Sequence, residues 1–265
     1  MGNQNHFDCG TRTENSFGGL DLFRLIAAFL VVAIHTSPLM SFSAEADFFL
    51  TRVLARTAVP FFFMVTGQFV LAKHPGRDFP VILAYLKKIG LLYLVAILIY
   101  LPVGIYAGHY KAITPADALR MLVFDGTFYH LWYFPACILG VLMVWLLARY
   151  LSYGTMTIIA TVLYALGLFG DSYYGLIADL PVLSDIYEFG FQLFSHTRNG
   201  LFFAPLFLIL GMDMHGSARR LASSRASDVI GLVISFLLLM RKLKGYPAEE
   251  PVRLYSGEMT VSMVK

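Results

Sequence analysis

LFRLIAAFLVVAIHTSPLM, residues 22–40, decides how the rest of the chain is read. An unbroken apolar stretch, LIAAFLVVAI, separates Arg24 from His35. Eleven helical steps at about 100° per residue bring the two side chains to within roughly 20° of one direction, so they share a stripe about 16 Å apart along the axis. The segment is long and apolar enough to cross a bilayer, where an ionisable side chain is costly and by default marks function. Two on one face strengthen that reading.

Composition places the whole chain in the same setting. The 265 residues are 58% hydrophobic and 14% charged, with a mean hydropathy of +0.68, against about 45–50% apolar and about 25% charged for a soluble domain. Span-length apolar runs recur, and they are continuous rather than alternating, which points to an all-α polytopic bundle and not a β-barrel. The net charge of +3 comes from scattered basic residues and gives no support to a nucleic-acid partner. Cys9 and Cys137 have no metal-ligand or redox spacing and are read as unpaired thiols. Residues 1–19 are polar and the first apolar stretch carries two ionisable groups, so it reads as a retained span rather than a cleavable signal.

Seven spans are expected, at about 22–40, 53–72, 89–107, 129–148, 155–170, 199–214 and 228–240, the last three short for a full crossing. Residues 76–88 read as an amphipathic lead-in along the interface. Three regions follow: a polar N-terminus at 1–19, a membrane domain at 20–240 and a tail at 241–265. Arg12, Lys73, Arg77, Lys87, Lys88, Arg149, Arg219, Arg220 and Arg225 fall on one side of this arrangement. Arg52, Lys111, Arg120 and Arg198 fall on the other, with the acidic Asp171, Asp179, Asp185 and Glu188. The excess of basic residues predicts a multi-pass plasma-membrane protein with a cytoplasmic N-terminus, Arg24 near the inner surface and His35 toward the outer half. The tail has no span-length stretch and no period. It points to truncation or a frame change near residue 240, or to a cytoplasmic tail after a miscounted span.

His35 is the first candidate for chemistry: a neutral imidazole in a bundle can take a proton from a hydroxyl, or it can serve as packing glue between helices. Arg24 can hold a phosphate with its planar fork, or it can snorkel and pair with Asp21 one turn earlier. In the second span Pro60 frees a backbone carbonyl, Thr66 and Gly67 allow close approach or a cavity, and Arg56 is a further cation near the outer end. His130 and Trp132 open the fourth span, where an aromatic belt is the plain alternative. Arg198 and Asn199 stand at the outer end of the sixth. Thus His35 and Arg24 are the catalytic candidates, and Arg56, Thr66, His130, Trp132, Arg198 and Asn199 the substrate-binding ones. No metal-ligand set or phosphate loop is present in the sequence.

The Arg-x10-His span, VPFFFMVTG (59–67), HLWYFPA (130–136) and RNGLFFAPLFLILG (198–211) together resemble the membrane acyltransferase-3 family, and within it the membrane domain of membrane-bound serine racemases of vancomycin-type resistance. The resemblance covers residues 19–239. It implies a bundle of about ten helices that passes an acyl group, usually acetyl from cytoplasmic acetyl-CoA, to a hydroxyl outside, with His35 at the catalytic histidine position and Arg24 its partner. Acyl-CoA is then the donor substrate and no bound cofactor is expected. Thr66 stands where the family has serine. The racemase relatives continue into a soluble pyridoxal-phosphate domain, for which the tail leaves no room: an α/β barrel takes about 250 residues. The first expectation is therefore an acyltransferase acting on groups other than amino-acyl groups. The second is a serine-transport domain of a membrane-bound racemase, with Arg24, His35 and Arg56 along the pathway. The third is an inactive fragment.

Overall fold

A computed structural model of the chain describes residues 18–111, 113–171, 173–177 and 180–221, and every regular element among them is helical. Contacts divide the chain into residues 1–215 and 216–265. The bundle described below belongs to the first unit, and of the second only the end of one helix is described.

Helix α1 (Gly18–Thr36) holds the whole Arg24–His35 stretch. It stops where Ser37 turns to φ 44° ahead of Pro38, and the returning turn is pinned by the buried Asp47, whose Oδ1 accepts from Leu39 N at 2.9 Å. Ala27 and Ala33 are its buried residues, while Leu22, Leu25, Phe29 and Val32 face outward, as a lipid-facing helix requires.

The second crossing, Ala44–Leu71, is a broken helix. Helix α2 (Ala44–Phe48) widens into π turns over Phe49–Leu54, tightens to a 3₁₀ turn at Ala55–Thr57, and resumes as α3 (Ala58–Thr66) before a second wide stretch at Gly67–Leu71. Pro60 explains the tight turn at Ala55–Thr57: it cannot bond back to the carbonyl four residues earlier, that of Arg56. Thr51 and Thr57 donate to the Asp47 and Leu54 carbonyls at 2.8 and 2.7 Å, satisfying oxygens that the regular ladder would otherwise serve.

Helix α4 (Phe79–Tyr106), 28 residues long, extends about 42 Å against a hydrocarbon core of about 30 Å. The expected interfacial segment at 76–88 is thus mostly the opening turns of this one helix. A short α5 (Pro115–Arg120), closed by a Thr114–Asp117 capping box, leads through a turn to α6 (Tyr133–Tyr150). Helix α7 (Tyr153–Phe169) begins at the Ser152 cap, α8 (Pro181–Gly190) is a short outlying helix, and α9 (Ala204–Leu221) closes the described chain.

The core lies between α3, α6 and α9, around Phe63, Val141, Val144, Leu208 and Ile209, with Ile82 and Met156 closing its sides. Close approach is bought with glycine. A Cβ at Gly67 would fall on the Leu208 carbonyl and one at Gly211 on that of Met64, so α3 and α9 cross backbone to backbone.

Among the described residues four crossings are found where the sequence leads one to expect seven, the last of which lies outside them. Gly19–Thr36, Ala44–Leu71, Phe79–Tyr106 and Tyr129–Tyr150 are long and apolar enough to span a bilayer among the described residues. The fifth and sixth expected spans correspond to α7, 17 residues long, and to α9, whose apolar part is only Ala204–Met214. Both are shorter than the ~20 residues typical of a crossing, α7 at the lower edge of the usual range and the apolar part of α9 well below it. The expected span at 228–240, the tail at 241–265 and residues 1–17 lie outside the described residues. The chain is a multi-pass membrane protein.

Candidate functional site

Helix α1 carries Arg24 and His35 to opposite ends of the bundle. Arg24 Nη1 lies 2.5 Å from Asp21 Oδ1, and its guanidinium sits 5.1 Å from the centre of the Phe69 ring. Lys73 Nζ is 5.9 Å from that same ring. Arg24 is therefore tied to the end where the broken helix finishes.

At the other end the His35 ring meets His130, with centres 4.8 Å apart, and Tyr129 at 6.2 Å. His130 in turn touches Tyr100 at 5.1 Å and Phe128 at 5.0 Å, and its Nδ1 is buried with no hydrogen-bond partner among the described residues. An unsatisfied buried nitrogen calls for an explanation, and a bound polar group would supply one. Arg56, on the 3₁₀ turn created by Pro60, lies within electrostatic reach of His35, Arg198, Asp171 and Tyr129. Among the described residues Arg56 has no carboxylate at ion-pair distance, whereas Arg198 has one: its Nε is 2.9 Å from Asp171 Oδ2. Like charges gathered at a membrane end repel one another unless an anion joins them.

The remaining expected site residues divide. Trp132 lies beside this cluster, its ring 6.5 Å from His196 and 5.9 Å from Phe203. Asn199 is fully buried and spends its side chain on the backbone: Oδ1 accepts from Leu201 N and Phe202 N at 2.9 and 3.2 Å, and Nδ2 donates to the His196 carbonyl at 3.1 Å. It shapes the turn that presents Arg198 and starts α9. Thr66 sits away from the cluster, in a relay where its hydroxyl donates to the Phe62 carbonyl at 3.0 Å and lies 3.2 Å from Tyr85 Oη, which is 3.5 Å from Cys137 Sγ. Arg24 and Thr66 are thus not brought to the His35 end, while Arg56, His130, Trp132 and Arg198 are.

One polar knot escaped sequence reasoning. Asp125, nearly buried, accepts from Ser195 N at 2.9 Å and from Ser195 Oγ at 2.7 Å, and lies 3.4 Å from Arg120 Nε and 3.8 Å from His196 Nδ1. It fastens the segment before α9 to the turn before α6. Gly126, at φ 83°, permits this: a Cβ there would strike the backbone of Leu131 and Trp132. Burial first, and then the Arg198 charge, hold His196 below the usual imidazole range, partly offset by Asp125 and Asp171. Among the described residues no three His, Cys, Asp or Glu side chains are placed to hold a metal ion.

Fold and site together define a multi-pass membrane protein with a cationic, aromatic-walled cluster at one end of its helices. The family follows from comparison: residues 17–240 match the acyltransferase domain of the acyltransferase-3 family, and the chain belongs to that family. It is 44% identical to an amino-acid racemase of Enterococcus faecalis over 88% of its own length and 32% of the relative's. It is 39% identical to a serine/alanine racemase of Enterococcus gallinarum over 82% of its length and 32% of that protein's. The chain thus spans about a third of the length of the curated relatives it matches. No solved structure matches it. These relatives correct one expectation. An enzyme transferring groups other than amino-acyl groups does not fit a chain whose relatives are named as racemases of amino acids.

Proposed function

We propose that this chain is the membrane domain of a racemase-type protein and that it binds and carries a small amino acid such as serine. The observation that carries the reading is Arg56, a guanidinium at a helix break, within electrostatic reach of His35 and Arg198 and without a carboxylate at ion-pair distance among the described residues. A planar fork of this kind suits the α-carboxylate of an amino acid. Irregular backbone at membrane depth is tolerated where it is buried in protein or lines a cavity, and transport sites are built on such breaks. The His130 Nδ1 and the rings of Tyr129 and Tyr100 offer the amino end and the side-chain hydroxyl their partners. Arg24 marks the far end of the pathway. The N-terminus is cytoplasmic in this reading, so the His35 end faces outward, and the vancomycin-resistance setting is part of the same proposal. Acyl-CoA has no step in it.

The test is uptake of labelled L-serine into vesicles holding the full chain, with no acyl donor present. Wild type should exceed empty vesicles severalfold. Arg56→Gln should lower uptake about tenfold or more, the scale of a lost charge-assisted hydrogen bond. Uptake equal in all three preparations would end the reading.

A further inference from the structure

The end of the bundle opposite His35 carries a second basic site that the serine reading does not use. An open cleft of about 910 Å³ is lined by Lys73, His74, Pro75, Gly76, Arg77, Asp78, Ala148 and Arg149. Its loop is built rather than draped. Gly76 takes φ 63° with its Cα against the Ala148–Arg149 backbone, where a Cβ would collide. The Trp145 indole N–H donates to the Arg77 carbonyl at 2.9 Å, and its ring packs on Phe79 at 4.9 Å. The cleft's one carboxylate, Asp78, is already bound to His74 Nδ1 at 2.7 Å. Lys73, Arg77 and Arg149 have no carboxylate at ion-pair distance among the described residues, so three cations against Asp78 leave the cleft at +2. The carbonyl end of α6 opposes this by only about half a charge. Arg24, over the Phe69 ring that Lys73 shares, adds a cation at the rim.

We infer that this cleft binds a phosphate group, and that the ligand is the headgroup of an anionic phospholipid. The position decides the source: the cleft sits where α6 ends and α4 begins, at the ends of two membrane-crossing helices, where lipid phosphates lie. Basic side chains at such a surface favour anionic lipid about fivefold each.

Trp145 is one of the chain's two tryptophans, so Trp132→Phe leaves a single reporter in the cleft wall. The full chain in nanodiscs of phosphatidylcholine with a minor share of brominated phosphatidylglycerol should show Trp145 quenched well beyond the share of brominated lipid. Native mass spectrometry of the unaltered chain, offered both lipids equally, should show phosphatidylglycerol retained at least about fivefold over phosphatidylcholine. The triple variant Lys73→Gln, Arg77→Gln, Arg149→Gln should abolish both preferences. Inorganic phosphate is added to phosphatidylcholine-only discs as the second arm. A saturable, cleft-dependent change in Trp145 emission there, without any lipid preference, keeps the phosphate site and overturns the lipid source. Quenching and retention that follow bulk lipid composition, with no phosphate response, overturn the inference, as does a preference that survives the triple variant. Serine uptake plays no part in these readouts, so the two proposals fail separately.

Discussion

His196 shows how a single side chain can join stability to acidity at this site. It lies between Arg198 and the carboxylates Asp125 and Asp171, and burial with the Arg198 charge disfavours its protonation. An imidazole depressed in the folded state binds fewer protons there than in the unfolded chain. Its stabilising contribution is therefore complete above the unfolded value of about 6.5 and is lost as pH falls below it. The thermal midpoint of the detergent-solubilised chain should fall between pH 7 and pH 5, and His196→Gln should flatten that slope. Identical slopes in both proteins would place the sensitivity elsewhere. The residue was not legible in advance, because its partner Asp125 is brought from a distant part of the chain and no local pattern links them. Arg24 and His35 were legible, since helical periodicity alone places them on one face and at opposite ends. So was the pairing of Arg24 with Asp21, a one-turn neighbour.

At the level of elements, length and hydropathy were enough to find the four crossings, but not the form of the second. Pro60 was visible as a disturbance. The tight turn before it follows from that proline, but the wide turns at Phe49–Leu54 and Gly67–Leu71 lie beyond its reach and carry no comparable local signal. The crossing of α3 and α9 was equally hidden, because glycines at 67 and 211 announce small surfaces without naming their partners. Gly67→Val tests that contact. Its side chain would land on the Leu208 carbonyl, and overpacking of this kind costs about 1–3 kcal/mol. The expected result is a lowered thermal midpoint with α1 and α4 still inserted, read by protease protection. An unchanged midpoint would show that the two backbones do not touch.

Across the whole molecule the two ends differ in chemistry. One gathers histidines, tyrosines and Arg56, and the other Lys73, Arg77 and Arg149. Tyr106 and Tyr150 terminate α4 and α6 at these opposite ends, and both are well exposed, at 95% and 73%. In a background of Cys9→Ser and Cys137→Ala, a membrane-impermeant maleimide applied to intact cells should label Tyr106→Cys. Tyr150→Cys should react only after permeabilisation. The reverse pattern would invert the proposed orientation and put the amino-acid cluster on the cytoplasmic face.

The glycine-lined contact between α3 and α9 also bears on biogenesis. All of α4 to α8 must be synthesised after Gly67 before Leu208 can be set against it. At about 5–20 residues per second, the nascent chain spends on the order of ten seconds with that groove unfilled. Insertion machinery or lipid must shield it meanwhile, and slowed translation across α4 to α8 would expose the half-built bundle to quality-control proteolysis.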